Sequence, residues 1–319
     1  MNIKILSSLK IATRKRNDLL TIGTHNGIFH ADEVVACAIL CLLYSNMSVQ
    51  ILRTRDEKLL TQCDICVDIG GGKYDHHQKG FNKARENGVK YASAGLVWNG
   101  YGRELLSSIM KKYFSEEKSS IVDALFKSFD DSFIIPVDYE DNGVAVETHH
   151  FSFISSFLPL WFNNTQNDFN NKFHKALMTT ISILEELIKS SIGKEITKEV
   201  LFSRYKNEDY YFDGILEIPS QTIDWLETTI EINSSKNDRK INFVIFPYPN
   251  GGWAAQCVPP SLSKKFTQRI PFPSEWAGQT DKLPEISKVE GATFCHNGCF
   301  FIRATSKEAV VKLCNIATK

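Results

Sequence analysis

Four of the chain's eight histidines, His25, His30, His76 and His77, lie in its first quarter, each close to an aspartate. The stretch "VDIGGGKYDHHQKGF" (67–81) sets Asp68, Asp75, His76 and His77 around three glycines, and "GTHNGIFHADE" (23–33) adds Asp32 beside the first two histidines. Asp138 and Asp141 follow in "VDYEDNG" (137–143). Such a mixture of imidazoles and carboxylates is too rich for one tetrahedral ion and fits two divalent cations sharing a carboxylate. Imidazole with carboxylate suits Mn²⁺, Fe²⁺, Co²⁺ or Zn²⁺, with Mg²⁺ as the harder alternative. The reaction this donor set favours is in-line attack of a two-metal-activated hydroxide on a phosphate ester. Any one of these histidines alone is more often a hydrogen-bonded structural residue; their grouping reverses that expectation. A P-loop is excluded, because Lys73 is followed by Tyr74 rather than Ser or Thr and no glycine stands five residues before Gly72.

Elements that alternate in type must carry these residues. "DLLTIGTH" (18–25) is a short apolar run ending in a polar turn, and "ADEVVACAILCLLYS" (31–45) is helical, with acids in the first turn where the helix dipole favours them. A second strand is expected at 48–55, a short helix over "DEKLLTQ", and a third strand at 64–70. Strand, helix and strand in alternation predict βαβ units and a parallel sheet, whose ligands gather at the carboxyl ends of the strands. His25, His30 and Asp32 follow the first strand, and Asp68, Asp75, His76 and His77 follow the third. The pattern is helical from Ala92 to Phe133 and closes at Pro136, so 137–143 reads as a carboxylate-dense turn. Composition then shifts towards aromatics, and a boundary is placed near 163–168. A long helix (169–190), apolar stretches "GILEIP", "INFVIFPYP" and "WAAQCVP" as strands, and a closing helix (306–317) give the second part an α+β character. The expected organisation is residues 1–17 as a basic tail or transit peptide, 18–165 as a metal-binding catalytic domain and 166–319 as a smaller substrate-binding domain. No internal repeat or low-complexity tract is found.

Composition narrows the partners. Thirty-seven basic and thirty-seven acidic side chains leave no net charge, so a polyanionic substrate must be drawn by a local patch or a metal and not by a global field. The longest apolar run, "VVACAILCLLY" (34–44), falls short of the ~20 residues that span a bilayer, so no membrane association is expected. Lys4, Lys10, Arg14, Lys15 and Arg16 with no acid among them match a mitochondrial transit peptide as well as a plain basic tail, and secretion is not expected. Eight cysteines without a secretory signal imply free thiols in a reducing compartment. Cys63 and Cys66, or Cys295 and Cys299 about His296, offer a structural zinc site as a minor alternative to cysteines that are small apolar residues. His149, His150 and His174 stand in aromatic or amphipathic surroundings and are assigned no chemistry.

Beyond the residues themselves, "GTHNGIFHADE", "VDIGG…DHHQKGF", "SAGLVW" (93–98), "VDYEDNG", "WAAQCVPP" (253–260), "PFPSEWAG" (271–278) and "VEGATFCHNGCF" (289–300) resemble, in order along nearly the whole chain, the melanocyte-proliferating-gene exonuclease family, a branch akin to the DHH phosphoesterases. The resemblance implies a parallel-sheet, DHH-like N-terminal domain with a smaller α+β C-terminal domain closing over the substrate. It further implies that His25, His30 and Asp68 hold one ion, and that Asp32, Asp68, His76 and a carboxylate from Asp138 or Asp141 hold the other. Asp68 is then the bridge, His77 faces the scissile phosphate, and His296 matches a C-terminal histidine that contacts substrate. The implied activity is a 3′-to-5′ exonuclease on RNA, in mitochondrion or nucleus, with a cytoplasmic location as the alternative. One departure is the short connection between Asp68 and His76, which is longer in the family.

Three functions remain in play on sequence alone. The first is a two-metal phosphodiesterase, with Mn²⁺ ahead of Mg²⁺, acting on RNA or a short oligonucleotide. The second keeps the metals and changes the substrate to a small phosphate. The third is a non-catalytic scaffold that retains the site, which loss of a ligand would favour; no motif position is lost. Trp253, Phe272 and Trp276 are candidate base-stacking residues, against the commoner role of buried packing.

Overall fold

A computed structural model of the chain describes residues 2–8, 18–114, 118–145, 150–159, 165–235 and 239–319. The chain divides into two compact units, Met1–Ile192 and Gly193–Lys319. The division falls inside a continuous helix, past the composition shift at 163–168. Among the described residues no helix is long and apolar enough to cross a membrane.

The first unit is built on four parallel strands, β1 (Asn2–Leu6), β2 (Leu19–Thr24), β3 (Ser48–Arg53) and β4 (Ile65–Cys66), in the order β1-β3-β2-β4. Residues 2–6, expected as part of a basic tail, pair with β3 from Asn2 against Ser48 to Leu6 against Leu52. Residues 9–17, with Lys10, Arg14, Lys15 and Arg16, lie outside the described residues. Helix α1 (Ala31–Leu43) is buried from Asp32 to Leu42, because its run of Val, Ala, Cys, Ile and Leu leaves no polar face for solvent. A short α2 (Glu57–Leu60) leads into β4, and α3 (Ser93–Phe114) packs against α1.

The carboxylate-dense turn expected at 137–143 is instead helical. Helix α4 (Ser119–Phe129) runs through a π-helical turn (Asp130–Ile134) into α5 (Ile135–Asp141). Pro136 does not end the helix: it stands at the second residue of α5, directly after the π-helical turn. One consequence is that Asp138 and Asp141, three apart, lie on one helical face.

Helix α6 (Gln166–Lys206) enters the second unit. There six strands, β5 (Tyr211–Phe212), β6 (Ile215–Glu217), β7 (Phe243–Pro247), β8 (Trp253–Cys257), β9 (Ala292–Cys295) and β10 (Phe301–Ala304), form a sheet ordered β5-β6-β7-β8-β10-β9. The β6–β7 pair is parallel and every other pair antiparallel. Alternation along the strands feeds two cores. Phe243, Ile245, Ala255 and Cys257 face one, with Phe272, Trp276 and the closing helix (Lys307–Ala317), while Val244, Phe246 and Ala254 face the other, with Leu201, Tyr205 and Trp225. Phe272 and Trp276 are thereby core residues, 1% and 2% exposed, and not stacking platforms.

Candidate metal centre

Register brings the two motifs together. Parallel pairing sets Gly23 beside Cys66, so the residues two steps further on, His25 and Asp68, leave neighbouring strand ends side by side. Gly23 is required there, because a Cβ would come within 2.9 Å of Cys63 Sγ and 3.0 Å of Cys66 Sγ. Both residues lie just past the carboxyl ends of their strands, β2 and β4. Open α/β sheets hold ligands at such strand ends.

The chain turns sharply at Asp68, which adopts a left-handed φ of 59° while its N–H donates to Tyr74 O at 2.9 Å. Aspartate tolerates this conformation better than most residues. Asp68 Oδ2 then lies 3.2 Å from His25 Nε2, and Oδ1 lies 3.3 Å from His76 Nε2 and 3.1 Å from His77 Nδ1. Ser93 Oγ donates to the same Oδ1 at 3.2 Å. Asp75 shapes the following loop, accepting from Gly71 N at 2.8 Å and His77 N at 3.0 Å. Its Oδ1 is also 3.2 Å from His77 Nδ1, so the exposed His77 ring keeps Nε2 free to face outward.

On the other side, His30 caps α1 and its N–H donates to Glu33 Oε2 at 2.9 Å. Glu33 Oε1 faces His25 Nε2 at 3.1 Å, which makes Glu33 a site residue that the sequence reading does not single out. Behind it, the fully buried Arg53 lies against the rings of Phe29 and Phe173 and donates to Gly27 O at 2.8 Å, fixing the loop between His25 and His30.

Asp32 and Asp138 bind the start of α3. Asp32 accepts from Ser93 N at 2.9 Å and Ala94 N at 2.6 Å, and Asp138 accepts from Gly95 N at 2.9 Å. The other oxygen of Asp138 takes Arg85 Nη1 at 2.7 Å, and Arg85 also forks onto Asp130 at 2.6 and 2.7 Å. Asp141 is placed differently, with Oδ2 3.0 Å from His76 Nε2. Of the two aspartates left open by the sequence, the structure turns Asp141 to the histidines and Asp138 to Arg85.

The electrostatics are those of a crowded anionic site. Burial and the charges of Asp68, Asp141 and Asp138 push Asp32 well above the carboxylate range. Burial alone would lower the His25 pKa, but the facing carboxylates of Asp68 and Glu33 override it and raise the imidazole to about 10. Burial likewise opposes protonation of His76, yet the facing Asp141 and Asp68 raise it to about 10. Burial disfavours the Asp68 anion, but His25 and His76 hold its pKa below the usual carboxylate range.

Among the described residues three groupings have donor atoms close enough to share a cation: His25 with His30 and Glu33; Asp68 with His76 and His77; and Asp32 with His76 and Asp141. A divalent cation fits them. Buried His76 Nε2 and Glu33 Oε1 sit within ion-pair distance of opposite charge but outside hydrogen-bond geometry, so both are short of a partner that a cation would supply. Among the described residues no such grouping includes a cysteine, so neither cysteine pair forms the zinc site weighed as an alternative.

A cleft of about 900 Å³ opens on these groups, lined by His25, His30, Asp32, Asp68, His77 and Asp141 together with Ile28, Phe151 and Arg55. No carboxylate of the described residues pairs with the exposed Arg55. His296 belongs to the second unit, in the turn after β9, where its Nδ1 accepts from Gly298 N at 3.0 Å and its ring packs on Phe300 at 4.3 Å. His150 packs on Phe133 at 4.7 Å, and His149 lies outside the described residues.

Comparison with known proteins places this geometry in a lineage. A family model named MYG1_exonuc, described as an uncharacterised protein family (UPF0160), matches residues 21–318. The chain is 30% identical to a Mus musculus protein named MYG1 exonuclease, over 95% of this chain and 86% of that one. It is 29% identical to the Homo sapiens protein of the same name, over 94% and 87%. A Caenorhabditis elegans MYG1 protein is 30% identical over 92% and 93%. No solved structure matches significantly.

Proposed function

Because the chain belongs to the MYG1 exonuclease family, we propose that it is a metal-dependent phosphodiesterase that trims RNA from the 3′ end with two divalent cations, Mn²⁺ ahead of Mg²⁺. The observation that carries this reading is the position of Asp68, whose two oxygens face His25 on one side and His76 on the other. In this proposal His25, His30 and Asp68, joined by Glu33, hold one cation, and Asp32, Asp68, His76 and Asp141 hold the second. Asp138 is left out because both its oxygens are engaged by Arg85 and Gly95. Bound divalent cations supply Lewis acidity to a water and to the phosphate oxygens.

The chain's own groups supply the rest. His77, held through Nδ1 by Asp75 and Asp68, turns its outer nitrogen, Nε2, to the scissile phosphate. Arg55 on the cleft wall offsets phosphate charge, and Ile28, 58% exposed on the loop between the two histidines, offers an apolar face to a terminal nucleoside. The fold belongs to the same proposal: a DHH-like metal-binding region over 18–165, followed by a substrate-binding region that includes His296. A mitochondrial or nuclear location rests on the family resemblance and on the basic residues near the N-terminus.

The test is to incubate purified protein with end-labelled RNA and DNA in Mn²⁺, Mg²⁺ or chelator and to follow product lengths. A ladder shortening from the 3′ end of RNA, only with metal, is the expected result. Hydrolysis confined to mononucleotide or pyrophosphate substrates would move the reading to a small-phosphate hydrolase. No turnover with any metal would leave a binding protein.

A further inference from the structure

In the second unit the segment Lys264–Arg269, "KKFTQR", sits where packing gives it no evident purpose. Phe266 is 97% exposed, the most exposed large apolar side chain among the described residues, and Lys264, Lys265 and Arg269 beside it are exposed too. None of these three cations pairs with a carboxylate of the described residues. The segment is nonetheless held. Thr267 N donates to Lys264 O at 3.0 Å, Arg269 N to Val258 O at 3.1 Å, and Gln268 Nε2 to Phe266 O at 3.1 Å. It borders a cavity of about 380 Å³ lined by Trp225, Gln256, Phe266 and Phe300, within the usual range of ligand sites at ~300–1,000 Å³. His296 extends the aromatic surface by packing on Phe300.

A single exposed apolar side chain is ordinary by itself, so Phe266 carries weight only together with the cations and the aromatic cavity beside it. Three unpaired cations around an unburied ring form the pattern that single-stranded nucleic acid meets with alternating phosphates and base faces. The chain carries no net charge, so a polyanion must be gathered by a patch of this kind. We propose that the surface formed by Lys264, Lys265, Phe266, Arg269 and Phe300 is a sequence-tolerant binding site for single-stranded nucleic acid, with Phe266 stacking on a base and the cations on flanking phosphates. An acidic peptide would engage the charges and leave the rings unused, which makes nucleic acid the better fit. The inference rests on the nuclease reading for its relevance, but its test does not depend on catalysis.

The experiment uses the full chain in excess chelator and reads fluorescence anisotropy with a labelled single-stranded 12-mer, an abasic 12-mer and polyglutamate. Phe266→Ala is expected to weaken binding to the 12-mer about tenfold, the loss of one stacked base, and to leave the abasic strand near wild type. The pair Lys264→Glu and Lys265→Glu is expected to weaken both strands and to flatten the salt dependence by roughly 1.4 in log–log slope, ~0.7 for each phosphate that is no longer neutralised. The proposal is overturned if the wild type does not bind the 12-mer in chelator, if Phe266→Ala binds it within twofold of wild type, or if polyglutamate binds as tightly. The metal reading is judged separately, by wild-type hydrolysis of bis(p-nitrophenyl) phosphate with Mn²⁺. Either result can fail while the other stands.

Discussion

His25 and Asp68 each stand two residues beyond a paired position, Gly23 and Cys66, on adjacent parallel strands, and their side chains meet at 3.2 Å. The carboxylate is thus supported by the sheet itself. Asp68→Asn is expected to keep the fold, because asparagine tolerates the left-handed backbone that Asp68 adopts. It should cost about a thousand-fold or more in single-turnover rate, since it removes the one anion proposed between both cations. Rate, metal stoichiometry and Tm measured on one preparation check this; two metals per chain with a rate within tenfold of wild type would sink the two-metal proposal.

Asp138 and Asp141 share a helix face but not a job. Asp141→Asn is expected to lower metal content and to flatten part of the pH dependence of the metal-free Tm, because Asp141 helps to hold the proton on His76. Asp138→Asn weakens a buried pair with Arg85, which keeps Asp130, and should destabilise by ~1–3 kcal/mol. Thermal melts in chelator, set beside elemental analysis, separate the two. Full metal content in Asp141→Asn would return the ligand role to Asp138.

His77→Ala is expected to lower kcat while metal content stays near normal, because Nδ1 is tied to aspartates and the proposed partner of Nε2 is the phosphate. An equivalent of metal missing from the variant would make His77 a ligand.

The raised pKa values of His25 and His76, both about 10, carry a pH dependence of definite sign. A histidine raised above its ordinary value near 6.5 contributes stability that is fully present below that value and is lost as pH rises through 10. The metal-free protein should therefore lose Tm steadily between those limits. Cation binding needs neutral imidazole, so at pH 8 metal uptake should release the protons held by His25 and His76. Calorimetric titration in buffers of different ionisation enthalpy measures the number; zero would contradict the protonated pair.

Two helical glycines should respond to alanine with opposite signs. At Gly95 a Cβ would collide with Asp138 Oδ2 and lie 2.7 Å from Arg85 Nη2, so Gly95→Ala must displace the buried pair and lower Tm sharply. Nothing lies within 4 Å of the Cβ position at Gly193, inside α6, where Gly193→Ala should stabilise by ~0.5–1 kcal/mol. Denaturant unfolding of both variants tests the contrast.

Much of the centre is legible in the sequence because residue type and strand-end position coincide. His25, Asp68, His76 and His77 stand out before any contact is known. Glu33 does not, because an acid in a first helical turn is already accounted for by the helix dipole, and only the bend of His25 towards it shows another use. Asp138 and Asp141 read as turn residues because Pro136 looks like a terminator; position within the first turn, which the sequence does not mark, reverses its meaning. Strand β1 is hidden by a basic composition. Arg85 and Arg53 find their partners through contacts far apart in sequence, and no local pattern announces them.

The start of α3 has a bearing on the order in which the protein assembles. Its amides at Ser93, Ala94 and Gly95 are received by carboxylates 61, 62 and 43 residues away, and Asp141 reaches His76 from the same distant helix as the last of these. His25, His30 and Glu33, by contrast, sit within one short segment. Long-range closure is the slow part of folding, so one half of the centre can exist early while the other waits for α5 to dock. Added Mn²⁺ should then slow unfolding and leave the refolding rate largely unchanged, since the cation meets a complete nest of ligands only after the transition state has passed. The centre is a product of folding here, where in a zinc finger it is the seed.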